Sequence, residues 1–148
     1  MNSVQTIYDK SILIGECNRG GLISFPEFNA YYQLEYLSYY PELQVIEELK
    51  ALVTSIKITI VLGTLCGDSL RQVPRFLKIL DLLEIPENDI TIIAVDQSKT
   101  IPEELIEELA IERVPTFIIY RRDQLEVGRI EEMPIETLEK DIRYLLTL

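Results

Sequence analysis

The sequence predicts one mixed α/β domain: a central sheet of parallel and antiparallel strands, flanked by helices and preceded by an α-helical N-terminal extension. Three observations predict it. The apolar pattern changes at Ile56 from helical spacing to a β-branched run. Later apolar runs are joined through helical stretches, which makes their strands parallel. The last two runs are separated only by Arg121-Arg122-Asp123-Gln124, a turn short enough for an antiparallel hairpin.

Taken in order, the first dozen residues carry little pattern, and Asn18-Arg19-Gly20-Gly21 reads as a turn or loop. Ser24 with Glu27 has capping-box spacing and starts a helix near Phe25. Tyr32, Tyr36 and Tyr39 share one face of that helix, which suits a half-buried seam with wet hydroxyls or, alternatively, a partner groove. Pro41 opens a further helix with Leu43, Ile46, Leu49, Leu52 and Val53 inward. Ile56 to Leu62 is a buried strand, and Gly63 to Ser69 is a loop opening a helix from about Ser69 to Leu83 that Pro74 should kink. Ile90 to Val95 is a second strand. Thr100 and Glu103 form another capping box, ahead of a helix with Leu105, Ile106 and Leu109 inward. Val114 to Tyr120 and Leu125 to Ile130 are the last strands. Pro134 begins a final helix with Ile135, Leu138, Ile142 and Leu145 inward.

Composition narrows the function. At 148 residues, 47% hydrophobic and 26% charged, the chain has the size and balance of one globular domain. Its net charge is −11, from 25 acidic against 14 basic residues, so nucleic acid and anionic membranes are poor partners. There is no histidine, which excludes histidine-dependent hydrolases and removes the commonest metal ligand; no metal site and no cofactor are expected. Cys17 and Cys66 make no disulfide framework. Met1 to Lys10 does not resemble a secretory leader, the patch Ile12 to Ile14 is too short for one, and no run approaches the roughly 18 apolar residues of a membrane helix. A cytoplasmic location is expected.

With these elements in place, residues 50–148 resemble the thioredoxin family. Gly63-Thr64-Leu65-Cys66-Gly67-Asp68-Ser69 resembles the family's Trp-Cys-Gly-Pro-Cys loop, with Cys66 at the attacking cysteine, and Pro74 stands where the family has its helix proline. Ile111-Glu112-Arg113-Val114-Pro115-Thr116 resembles the stretch bearing the cis-proline opposite the active site, and Gly128 matches a glycine near the groove. The whole is similar to bacterial thioredoxin-like proteins with a helical N-terminal extension, here residues 1–49. The departures are Ser69 for the resolving cysteine, Leu65 for the tryptophan and Ile60 for the buried aspartate.

The resemblance implies a monothiol thiol–disulfide oxidoreductase serving cell redox homeostasis. Cys66 would be the nucleophile and Ser69 a hydrogen-bond donor to its sulfur. Leu65, Gly67, Asp68, Val114, Pro115 and Gly128 would form the substrate platform. A helix N-terminus favours thiolate, whereas Asp68 opposes it. Arg71 and Arg75 stand near the site, as a solvated helix face or as an anion clamp. Without a resolving thiol at position 69, release of a mixed disulfide requires an external thiol such as glutathione, or Cys17; Cys17 otherwise reads as a buried bystander. The expected partners are protein or small-molecule thiols and disulfides. Two alternatives stay open: a redox-inactive binding module gripping partners through its groove and its Tyr-rich extension, with Tyr36 and Tyr39, and a glutathione-dependent iron–sulfur carrier suggested by Cys-Gly-Asp-Ser.

Overall fold

The computed structural model describes residues 4–7 and 10–148; the leader reading of Met1 to Lys10 falls partly on residues 1–3, 8 and 9, outside the described ones. The chain opens with an antiparallel pair, β1 (Val4–Ile7) and β2 (Lys10–Leu13), followed by β3 (Gly15–Cys17). Strands in this region depart from the helical reading. A three-residue strand has no periodicity of its own, and β3 exists because the edge of β5 (Ile90–Ala94) offers unpaired backbone to Gly15, Glu16 and Cys17.

The helical part starts at α1 (Arg19–Ser24), not at a turn: Asn18 caps it by accepting from the Gly21 N–H at 2.7 Å, and Leu22 is fully buried. α2 (Pro26–Ser38) follows after the single residue Phe25. Ser24 does not cap it, because Ser24 is the last residue of α1, and proline at the first helical position takes over the start. α3 (Leu43–Leu52) buries Val45, Ile46 and Leu49, whereas Leu43, expected inside, is 70% exposed. The predicted division at 49/50 falls within α3, and one continuous core crosses it, from Phe28 and Leu49 to Ile58, Phe76 and Phe117.

The main sheet has five strands in the order β3-β5-β4-β6-β7, with β4 (Ile56–Leu62), β6 (Thr116–Arg121) and β7 (Glu126–Glu131). β4 pairs parallel with β5 and antiparallel with β6. The second pairing corrects the expectation that β4, β5 and β6 are all parallel. α5 (Glu103–Glu108) lies in the connection between β5 and β6, and the antiparallel register starts β6 at the end of the sheet where β5 finished. Asp96 takes up the capping residue expected for α5: its carboxylate accepts from Thr100 N–H at 2.6 Å, Thr100 Oγ1 at 2.7 Å and Ile101 N–H at 2.9 Å. The last helix, α6, is Leu138–Leu146, capped by Thr137. It does not begin at Pro134, because the Asp141 carboxylate accepts from the Ile135 and Glu136 N–H groups and holds them in a loop; Ile135 is 95% exposed.

The tyrosine face of α2 packs on α4 (Gly67–Leu82). Arg19 donates twice to the Asp81 carboxylate at 2.6 Å, and Tyr36 Oη donates to the same group at 2.5 Å. Tyr39 Oη donates to the buried Glu139 at 2.5 Å. Arg75 pairs with Glu35 at 2.9 Å. Burial pushes the Asp81 carboxyl up, but the bonds from Arg19 and Tyr36 outweigh it and hold the group below the usual carboxylate range. A carboxyl with a depressed folded value contributes stability above its unfolded value of about 4 and loses it as pH falls through the folded one. The urea midpoint of the protein is expected to fall between roughly pH 5 and pH 2, and Asp81→Asn to flatten that slope. An unchanged slope in the variant would mean that this seam is not coupled to folding.

Candidate functional site

β4 ends at Leu62 in the middle of the sheet, and the chain turns through Gly63 to Leu65 into α4. Cys66 is the N-cap of α4, so its Cβ projects at the mouth of a sixteen-residue helix whose first N–H groups have no helical partner. The turn is held from both sides. Cys66 N–H donates to Gly63 O at 3.0 Å, and Leu70 N–H donates to Cys66 O at 2.9 Å. Thr64 is buried and its Oγ1 accepts from Leu13 N–H at 3.4 Å, which ties the N-terminal strands to this loop.

The second half of the site comes from the segment entering β6. The Val114–Pro115 peptide bond is cis. Thr116 Oγ1 donates to Arg113 O at 2.6 Å and braces the turn. Cys66 Sγ lies 3.5 Å from Val114 O, and Cys66 is half-buried. Thus the sequence-predicted Cys66, Val114 and Pro115 meet at one end of the sheet, although 48 positions separate Cys66 from Val114.

The neighbouring residues divide. Gly67 is exposed, and open space surrounds its Cα. Asp68 is half-exposed and stands 3.7 Å from Arg71. Arg71 and Arg75 form no anion clamp, since Arg75 is held by Glu35 and lies over the Tyr39 ring. Leu65 is half-exposed and faces α2. Ser69 has a different place from the expected one. It is fully buried, and its hydroxyl oxygen accepts from Gly63 N–H at 3.1 Å, so it shapes the loop backbone and makes no bond to the sulfur.

Gly128 is also corrected. It sits opposite Ile119, three residue pairs along the ladder from Thr116, or roughly 10 Å from the site end. A Cβ there would meet Leu145 Cδ2 at 2.5 Å, so the glycine lets α6 pack closely on β7 and lies outside the groove. Just past β7, Glu132 reaches the site instead, and Met133 follows it in the chain. Glu132 N–H donates to Pro115 O at 2.7 Å with φ of 61°, and Met133 is 55% exposed. Sequence reading missed both; the only local signal was Pro134, which marks the end of the strand.

Cys17 is buried in β3, and burial pushes its thiol up to about 11. It is level with Ile92 and, through β5, with Ile60, two strands away from β4. That is about 10 Å across the sheet, beyond the Cα separation a disulfide spans. Cys17 thus lies buried two strands away from the strand that leads to Cys66. Tyr36 and Tyr39, assigned to partner capture in the binding-module alternative, have their hydroxyls bound to Asp81 and Glu139. Among the described residues, no group of three His, Cys, Asp or Glu side chains is placed to hold a metal ion, and no helix is long and apolar enough to cross a membrane.

The comparisons agree with this architecture. A protein of unknown function from Pseudomonas aeruginosa superposes with a TM-score of 0.61 at 15% identity, covering 90% of this chain and 91% of that one. An HIV epitope scaffold superposes with a TM-score of 0.57 at 16% identity, covering 90% and 84%. Coverage of this extent takes the shared fold into the N-terminal segment. A search of curated proteins found no match in sequence. A family model described as Thioredoxin matches residues 23–142, most of the chain, and this chain accordingly belongs to the thioredoxin family.

Proposed function

We propose that this protein is a monothiol thiol–disulfide oxidoreductase acting through Cys66, with protein or small-molecule disulfides as substrates. The observation that carries the proposal is the half-exposed Cys66 sulfur at the N-terminus of α4, 3.5 Å from Val114 O, with a buried serine at position 69. In the first step the Cys66 thiolate attacks one sulfur of a disulfide. The old S–S bond breaks, a Cys66 mixed disulfide forms, and the other sulfur leaves as a thiolate that takes up a proton from water. In the second step an external thiol, such as glutathione, gives up its proton and attacks the substrate sulfur. Cys66 leaves as thiolate, and the substrate departs disulfide-bonded to that thiol.

No cofactor enters either step. Gly67 and Asp68 flank the sulfur, Val114 and Pro115 face it, and Ser69 acts by holding the Gly63 backbone. The acidic surface disfavours nucleic acid and membrane, and two unpaired cysteines suit a reducing cytoplasm.

The test is the rate at which Cys66 reacts with iodoacetamide between pH 5 and pH 10, in protein carrying Cys17→Ser. A rate at pH 7 at least about tenfold above that of a free cysteine peptide is expected. A rate no greater than the peptide's would end the proposal.

A further inference from the structure

We infer that the groove beside Cys66 continues over Leu65 onto α2, and that it takes a polypeptide disulfide whose cysteine is flanked by apolar and basic residues. The inference rests on the thiol–disulfide proposal and names its substrate class.

Leu65, the residue next to Cys66, and Leu70 form one side of a depression of about 420 Å³, whose opposite wall is Pro26, Glu27, Ala30 and Tyr31 at the start of α2. The space suits one or two side chains of a chain passing over the sulfur. Its wall is fixed. Phe28, beside those residues, is fully buried, and α2 is bound to α4 through Glu35–Arg75 and through the Asp81 carboxylate, which binds Tyr36 and Arg19. A small disulfide exchanging at Cys66 need not touch α2, whereas a polypeptide can run along it.

The charges around the depression decide what kind of polypeptide. Glu27 is exposed, with no cation paired to it among the described residues. Asp68, on the other side of Cys66, has only Arg71 at 3.7 Å. No lysine or arginine lines the depression. A cation on the substrate therefore gains from Glu27 and Asp68, an anion is repelled, and an apolar neighbour of the cysteine gains contact with Leu65, Leu70 and Tyr31.

The experiment uses three mixed disulfides with 5-thio-2-nitrobenzoate. One is the peptide Gly-Lys-Leu-Cys-Leu-Lys-Gly, one is Gly-Glu-Ser-Cys-Ser-Glu-Gly, and one is 2-mercaptoethanol. Attack by Cys66 on the peptide or mercaptoethanol sulfur breaks the S–S bond and releases the coloured thiolate, which is followed by absorbance. The unaltered protein is expected to react about tenfold faster with the Lys-Leu peptide than with the Glu-Ser peptide. Ala30→Trp, an exposed change that fills the depression, is expected to bring that ratio below about threefold, with a smaller effect on the mercaptoethanol rate. Glu27→Lys is expected to lower the Lys-Leu rate and to raise the Glu-Ser rate. Fast reaction with all three probes at similar rates, or a ratio untouched by Ala30→Trp, would overturn the inference and leave the redox proposal standing. Failure to react with any of the three would remove both.

Discussion

Replacing Cys66 by serine is expected to lower thiol–disulfide exchange at least about a thousandfold. The attacking species is a thiolate, and a serine hydroxyl does not ionise near neutral pH. The remaining thiol cannot substitute. Cys17 is buried in β3, about 10 Å across the sheet from the β4 strand that leads to position 66. With its thiol pushed up to about 11, roughly one Cys17 in ten thousand is ionised at pH 7. Cys17→Ser should accordingly leave exchange unchanged. The measurement is turnover of a peptide disulfide with glutathione as reductant, on both variants. Appreciable turnover by the Cys66 variant, or its loss in the Cys17 variant, would show that the chemistry lies elsewhere.

Phe76→Ala is expected to cost about 3–5 kcal/mol of folding stability. Phe76 lies on α4 and stacks on Phe117 of β6 with ring centroids 4.0 Å apart and planes 13° apart; both are fully buried. Phe117 is in register with Ile60 on one side and Ile130 on the other, so the stack joins the site helix to the middle of the sheet. Removing the ring loses its transfer energy and leaves a void that neighbours on three strands cannot collapse into. For a domain of ordinary stability, about 5–15 kcal/mol, the loss is a large share. A fall in Tm of roughly 10 °C should accompany it. Because Cys66 caps the same helix, Phe76→Leu, which keeps most of the volume, separates loss of fold from loss of site alignment. A cost below about 1.5 kcal/mol for the alanine variant would mean that the stack does not anchor α4.

The parts legible in the sequence share one property: their signal is local and long. In the β-branched run Ile56 to Leu62 every residue except Lys57 and Thr59 is buried, so it reads as a strand without reference to anything else. The stripe of Val73, Phe76, Leu77 and Leu80 similarly specifies which side of α4 faces the sheet. The misreadings arose where a distant or competing group won. Thr100 was expected to cap α5, but the Asp96 carboxylate binds its N–H and its hydroxyl. Ile135 was expected inside a helix, but Asp141 holds its backbone in a loop. Gly128 was assigned to the groove, whereas its missing side chain makes room for Leu145 on another element.

What the sequence determined by itself was the list of possible actors: no histidine, one cysteine before a helix, a proline ahead of a later strand, and tyrosines along one face of an early helix. Hydrophobic period and composition set these within a few residues of chain. Tertiary structure alone decided which of them meet. It brought Val114 O within 3.5 Å of the Cys66 sulfur, turned Ser69 toward Gly63, and set Glu132 against Pro115. It also stood α2 beside Leu65. Such contacts join positions tens of residues apart, and only burial of a shared core selects among them, since a side chain's own sequence neighbours carry no record of what packs against it.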